Sequence, residues 1–358
     1  MFLLLAILVF YDIITTMSMK KLLLGFLFFI LIISNTKALK IVSLGDSISS
    51  GYLLNSQEDS FDNLFASTLN AKFYEHSYLG MRSDDLLKDL GNDAIKREIE
   101  SADIIIINIG ANDLLDLLDY ADLSKVGIEI EYGNIPKVEL NSAFINNLKT
   151  YLQDFVVNEL EPMAKEATND FSIIFPSIIE KIKDYNSNAK IIVNSLYNPF
   201  FDISVPLFKL NLNDIENVAD NIIKSFNNTI YNHEGYIVID VYSALRNNNY
   251  LNVNPLSLAF DPHPNIDGHK KIYELYLKEL CYKINYNDKT YYVLKGEKIN
   301  IKPNKKFGYT FVKWNHDLNN INSDIELKAI YKFNYLYIIV PILAIGAILI
   351  VVKKRNTK

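Results

Sequence analysis

The sequence predicts an α/β domain with a mostly parallel sheet over residues 39–283, and three observations carry that prediction. From Leu39 to about Lys283, strand-length apolar runs alternate with amphipathic helical stretches, the pattern of strands joined by helical crossovers. The run Ile104-Ile105-Ile106-Ile107 is apolar at every position, as a central strand covered on both faces requires. With 358 residues and 49% hydrophobic content, the chain is long enough for one large core and a smaller second unit.

Five strands are predicted, at 40–44, 72–77, 103–109, 190–195 and 236–241. Helical patterns fall between them, notably at 141–160, 170–184, 210–231 and 266–282. The segment 114–139 exceeds an ordinary connection and reads as an insertion near the site. After Asn285, short alternating runs at 289–294, 298–301, 309–314 and 326–331 predict a small β-rich module spanning 284–333. The single cysteine, Cys281, cannot form an intrachain disulfide and lies in an apolar helical pattern, where it reads as buried filler.

Both ends point to export. Residues 1–38 read as a signal region: Lys20-Lys21 lead an uncharged run at 22–34, and Thr36-Lys37-Ala38 supplies small residues around a cleavage point. Met19 is an alternative start, and an uncleaved anchor is the competing reading. Residues 335–352 are uncharged and apolar, about 27 Å as a helix, which approaches the hydrocarbon thickness. A transmembrane helix is therefore expected at 334–352, with a buried core helix as the alternative. Lys353, Lys354, Arg355 and Lys358 make 353–358 a basic cytoplasmic tail, which leaves the bulk of the chain outside the cell membrane. The net charge of -6, with no large Lys/Arg cluster, excludes an electrostatic footprint for nucleic acid. His76, His233 and His316 lack acidic or thiol partners at metal-ligand spacing, so no metal and no cofactor is expected.

Three distant segments supply a nucleophile, an amide donor and a base. Ser47 in Gly45-Asp46-Ser47 follows the first strand, so its hydroxyl falls at the carboxyl edge of the sheet, where open α/β folds place ligands. Amides just after it would open a helix and favour an anion. Asn112, in Gly110-Ala111-Asn112-Asp113, closes the buried strand and reaches the same edge, where its amide would serve an oxyanion or cap a helix. Gly80 also follows a strand and offers an unobstructed N–H, or is a plain turn glycine. His263 lies between Pro262 and Pro264, and Asp261 and His263 both precede prolines, which favours extended geometry. Two residues apart in an extended segment, they face one side, within reach of a carboxylate–imidazole hydrogen bond. His269 reads as helix surface or packing.

This ordered set, Gly45-Asp46-Ser47-Ile48-Ser49, Gly80, Gly110-Ala111-Asn112-Asp113 and Asp261-Pro262-His263-Pro264-Asn265, resembles the SGNH hydrolase superfamily, also called GDSL esterases and lipases. The resemblance spans about residues 39–283. It implies a flavodoxin-like three-layer α/β/α fold with a five-stranded parallel sheet, Ser47 as nucleophile and His263 as base. It also implies an oxyanion hole from the Ser47 and Gly80 N–H groups and the Asn112 side chain. In the family pattern the acidic partner precedes the histidine by three residues, a position held here by Phe260. The carboxylate sits at Asp261, which leaves a triad and a Ser–His dyad supported by a backbone carbonyl both open. The module resembles an internalin-type B repeat, a β-grasp-like unit, through Gly308-Tyr309-Thr310-Phe311-Val312-Lys313-Trp314 and the closing 323–331.

The expected activity is hydrolysis of a small-molecule or lipid carboxylic ester through an acyl-enzyme on Ser47. Apolar and aromatic residues at 114–118 and 196–208 are candidates to receive an acyl chain, or to pack a lid. An O-acetyl esterase acting on cell-wall or glycan substrates is the alternative within enzymes. A non-catalytic surface binding protein is the alternative outside them.

Overall fold

The computed structural model describes residues 38–126, 141–199, 201, 204–205, 210–211, 213–246, 250–251 and 261–356. The signal region expected at 1–38, up to residue 37, part of the expected insertion, and Phe260 lie outside the described residues.

Strands β1 (Lys40–Gly45), β2 (Lys72–Ser77), β3 (Ile104–Asn108), β4 (Lys190–Asn194) and β5 (Ile237–Ile239) form one parallel sheet in the order β2-β1-β3-β4-β5. The order reverses at β1, which opens a crevice beyond the carboxyl ends of β1 and β3. The connecting helices are α1 (Phe61–Thr68), α2 (Ser83–Asp89), α3 (Asp93–Ser101), α4 (Ala111–Leu115), α5 (Ser142–Phe155), α6 (Glu161–Tyr185), α7 (Asn213–Tyr231), α8 (Val241–Ala244) and α9 (Ile266–Leu280).

The alternation of side chains along each strand sorts these helices into two layers. Val42, Leu44, Ile105 and Ile107 face a core shared with Leu86, Ile99, Phe171 and Phe226 of α2, α3, α6 and α7. Ile41, Ile104, Ile106 and Ile192 face the opposite core, built on Phe61 and Phe65 of α1 and Ile272 and Tyr276 of α9. Every side chain of β3 is buried because both faces are covered. The result is a three-layer α/β/α arrangement, as the family resemblance implies, around the parallel sheet that the strand and helix patterning predicts.

Three helical boundaries differ from the sequence expectation, the first being the helix expected at 210–231, which begins at Asn213 because Leu210–Asn211 pairs antiparallel with Ser204–Val205. The stretch 161–169, expected to interrupt two helices, is helical, so α5 and α6 join through a π turn at Val156–Leu160. There the Glu161 N–H donates to the carbonyl of Val156, five residues back, and Pro162 follows inside the first turn of α6, where its missing donor is tolerated. At the other end α9 stops at Leu280, and Cys281 opens a strand instead of ending the helix. That strand, β6 (Cys281–Tyr286), pairs antiparallel with β7 (Lys289–Leu294), and Cys281 opposes Leu294. Cys281 is buried, as expected, and burial pushes its thiol up to about 12.

β6 straddles two cores: Cys281 packs with Leu280 of α9 under the large sheet, while Ile284 and Tyr286 belong to the β module. The module continues with β8 (Tyr309–Trp314), β9 (Ile325–Glu326) and β10 (Ala329–Phe333). The strand expected at 298–301 does not form; Ile301 is instead buried in the module core from an irregular segment. The run expected at 326–331 divides into β9, which pairs with β6, and β10, which pairs with β8.

A C-terminal helix α10 (Leu336–Asn356) forms, and Leu336, Val340, Ile342 and Ile345 stand exposed on it. Among the described residues no helix is long and apolar enough to cross a membrane, so the transmembrane helix expected at 334–352 is not found.

Candidate active site

Ser47 is positioned by the end of β1. Gly45 opposes Asn108 of β3 so closely that a Cβ there would lie 2.7 Å from the Asn108 carbonyl oxygen, so no larger residue fits. Beyond it the chain does not open a regular helix but runs through turns, with the Ser50 N–H on the Asp46 carbonyl and the Tyr52 N–H on the Ser47 carbonyl. Ser47 Oγ lies 2.7 Å from Nε2 of His263.

The histidine arrives from the segment before α9. Asn265 caps that helix, its Oδ1 accepting from the Asp267 and Gly268 N–H groups at 3.0 Å each. Asp261 Oδ1 lies 2.6 Å from His263 Nδ1 and also accepts the His263 backbone N–H at 2.9 Å. The carboxylate therefore reaches the ring through an Asx turn with a bend at His263, rather than through the alternation of an extended strand. The half-buried Tyr197 donates its hydroxyl to the Pro262 carbonyl at 2.5 Å and fixes this turn from the β4 side. Tyr52 packs edge-on against the His263 ring, centroids 4.8 Å apart.

The amide donor comes from β3. Gly110 adopts φ +111°, and a Cβ there would also meet the Phe171 ring at 2.9 Å, so glycine is required twice over. Asn112, buried on α4, donates from Nδ2 to the Met81 carbonyl at 2.9 Å, which leaves its second amide hydrogen uncommitted to that bond. Gly80 precedes Met81 in a turn at φ +76°. Next to Asn112, Asp113 accepts both the N–H and the hydroxyl of Ser83, at 3.0 and 2.5 Å. The 80–83 loop is thus pinned to α4 by two adjacent side chains. Burial holds the Asp113 carboxyl above the usual range against those hydrogen bonds.

A family model for GDSL-like lipases and acylhydrolases matches residues 43–271. The chain belongs to the GDSL-like lipase/acylhydrolase family. It is 25% identical over 242 residues to the uncharacterized protein YpmR of Bacillus subtilis (strain 168), covering 66% of this chain and 77% of that protein. Among solved structures it is similar to the lipase Lip_vut3 from a goat rumen metagenome, at 20% identity and a TM-score of 0.46, covering 66% of this chain and 95% of that one. It is similar also to phospholipase A1 from Streptomyces albidoflavus NA297, at 18% identity and a TM-score of 0.45, covering 68% and 99%.

Sequence reasoning about this GDSL-like domain passes over a buried polar chain behind the serine. Asp46 Oδ1 accepts from the Ile48 N–H at 2.9 Å and from Asn108 Nδ2 at 3.1 Å. Asn108 Oδ1 accepts from Asn194 Nδ2, and Asn194 Oδ1 accepts from the Tyr276 hydroxyl. The network crosses β1, β3 and β4 to α9, and its only sequence signal is an asparagine ending each of two apolar strands. Asp46 Oδ2 has no hydrogen-bond partner among the described residues, and burial pushes this carboxyl up to about 7. The folded value lies above the ordinary 3.8, so folding holds a proton that the unfolded chain releases between about pH 4 and 7. The stabilisation from Asp46 is complete below pH 4, declines up to pH 7 and is lost above it. Asp46→Asn keeps an acceptor without the charge. Its urea midpoint relative to the parent is expected to rise between pH 4 and 7 and level off above; a pH-independent difference refutes this.

His269 is fully buried, not on the helix surface: its Nδ1 accepts the Phe61 N–H at 3.3 Å, and burial lowers it to about 4. His76 lies 2.5 Å from Glu98 Oε2, a partner distant in sequence. Among the described residues no three His, Cys, Asp or Glu side chains gather as metal ligands.

Ser47, Asn112 and His263 line one cavity with an empty volume of about 870 Å³ including its open mouth. Gly80 stands outside that lining. Leu114, Leu117 and Leu196 come from segments expected to contact an acyl group, whereas Leu160, Ala164 and Ile222, from α6 and α7 and the π turn, carry no such signal in the sequence.

Proposed function

We propose that the protein is an exported, membrane-tethered serine hydrolase of carboxylic esters. The observation that carries this reading is the hydrogen-bonded relay from Ser47 through His263 to Asp261 at an apolar cavity. His263 Nε2 takes the Ser47 hydroxyl proton as Oγ bonds to the acyl carbon. The ester C–O bond then breaks, and the leaving alcohol takes that proton from the imidazolium. A water deprotonated by the same imidazole attacks the acyl-enzyme, and the acid leaves as Ser47 recovers its proton. Asp261 holds the ring tautomer and stabilises the imidazolium between these transfers. The Ser47 and Gly80 N–H groups and Asn112 Nδ2 receive the oxyanion.

Labelling with a fluorophosphonate tests the reading directly. The tryptic peptide carrying Ser47 is expected to gain the phosphonyl group; a non-catalytic surface protein leaves it unmodified. Asn112→Ala is expected to lower kcat and kcat/KM for p-nitrophenyl butyrate together, by about 10²–10³, because the donor acts on charge that develops only in the transition state. A change confined to KM would remove Asn112 from the oxyanion site.

The tether at 334–352 rests on the sequence, through the uncharged run and the basic residues that follow it, while among the described residues no helix is long and apolar enough to cross a membrane. Export rests on residues 1–38. The β module at 284–333 then serves as a spacer between bilayer and catalytic domain.

A further inference from the structure

We infer that the cavity beside Ser47 is an acyl-chain site, that the substrates are esters of medium or long apolar acyl groups, and that Ala164, Ala219 and Ile222 set the longest chain admitted. The inference rests on the ester-hydrolase reading and names its substrate class. Its first support is the distribution of polar groups. Ser47, Asn108, Asn112, Ser195 and His263 all belong to segments at the carboxyl edge of the sheet, whereas α6 and α7 present only apolar side chains to the cavity. On α6 the wall is Ala164, with Leu160 one turn before it at the end of the π turn; on α7 it is Ala219, Ile222 and Ile223. The spacings of four, three and four residues keep each set on one helix face.

The second support is what lies behind that wall. A separate groove between α6 and α7 is lined by Glu161, Lys165, Thr168, Asn169, Val218, Asn221 and Ser225, together with Ala164 and Ile222. Ala164 and Ile222 thus border both hollows, one lined on this side by apolar groups alone and one of mixed lining that carries charged and polar side chains. They form the partition between the space an alkyl chain would fill and a water-facing groove. Where that partition is an alanine, the depth of the cavity depends on a single methyl group. An acetyl group has no methylene chain to lay along this wall, so an O-acetyl substrate would make little use of it.

Paired fluorophosphonate probes test the assignment on the full chain in detergent. In each reaction Ser47 Oγ forms a P–O bond, the P–F bond breaks, fluoride leaves and the hydroxyl proton passes to His263. The parent protein is expected to react with dodecyl fluorophosphonate at least about tenfold faster than with the ethyl probe, since fitting or excluding a few methylenes shifts rates on that scale. Ala164→Phe is expected to reduce the dodecyl-to-ethyl rate ratio by about tenfold or more, and Ile222→Ala to extend reaction to a hexadecyl probe. Should Ala164→Phe fail to give the parent circular dichroism spectrum, Ala219→Leu narrows the same wall and carries the measurement. A ratio unchanged in the folded narrowing variant, with Ser47 still labelled, overturns the acyl-chain site alone. Failure of Ser47 to react with any probe overturns the ester-hydrolase reading and this assignment with it.

Discussion

Ser47→Ala is expected to abolish fluorophosphonate labelling and to lower kcat for p-nitrophenyl butyrate by about 10⁴–10⁶. Removing the nucleophile of a serine relay leaves only binding and oxyanion stabilisation, which retain a small part of the acceleration. The neighbouring hydroxyls offer no replacement. Ser49 is fully buried, and Ser50 donates its hydroxyl to the Ser47 carbonyl at 2.9 Å, engaged in holding the turn. Asp46, also next in the chain, is buried and held by Ile48 and Asn108. His263 would still be poised to activate a water, so a slow residual hydrolysis without covalent labelling is compatible with the expected result. Hydrolysis within tenfold of the parent protein would show that the ester carbonyl is attacked by some other group.

The contrast between what the chain states locally and what it states only after folding is sharpest in this site. Ser47, Asn112 and His263 are readable because each follows a strand or precedes a helix, and strand ends in an open α/β sheet converge on one edge. The sheet itself is legible for a similar reason: Ile104 to Ile107 are apolar throughout, and only a strand covered on both faces needs that pattern. The α5–α6 junction is not legible, because Pro162 and the polar residues around 165–170 resemble a helix break, whereas the π turn restores the helical path. Nor is the fate of Cys281 legible, since an apolar residue at a helix end packs equally well as the first residue of a strand. The pairing of Asp113 with Ser83 and of Asp46 with Asn108 spans 30 and 62 residues, a separation at which local patterning carries no information.

Substitutions at Asp261 are expected to separate a charge role from a steric one. Asp261 departs in position from the pattern of the family the chain resembles, and its effect depends on how a carboxylate two residues before the histidine holds the ring. Both the Nδ1–H and the backbone N–H of His263 fall on the same oxygen, Oδ1. Asparagine can present its own Oδ1 to both donors and preserve tautomer and turn, losing only the charge that stabilises the imidazolium. Alanine loses the acceptor, the Asx turn and the charge together. Asp261→Ala is therefore expected to lower kcat by about 10⁴, and Asp261→Asn by a clearly smaller factor where its Oδ1 keeps the Nδ1–H, whereas an amide turned to donate to Nδ1 fixes the wrong tautomer and loses as much. Steady-state kinetics on p-nitrophenyl butyrate, with thermal melts to establish that both variants fold, measures the gap. If a backbone carbonyl supports the imidazole instead, both variants keep kcat within a few-fold of the parent, because Nδ1–H retains its acceptor whichever residue stands at 261. An equal and large loss in both would mean that the carboxylate acts through its charge and the tautomer it fixes, rather than through the geometry of the turn.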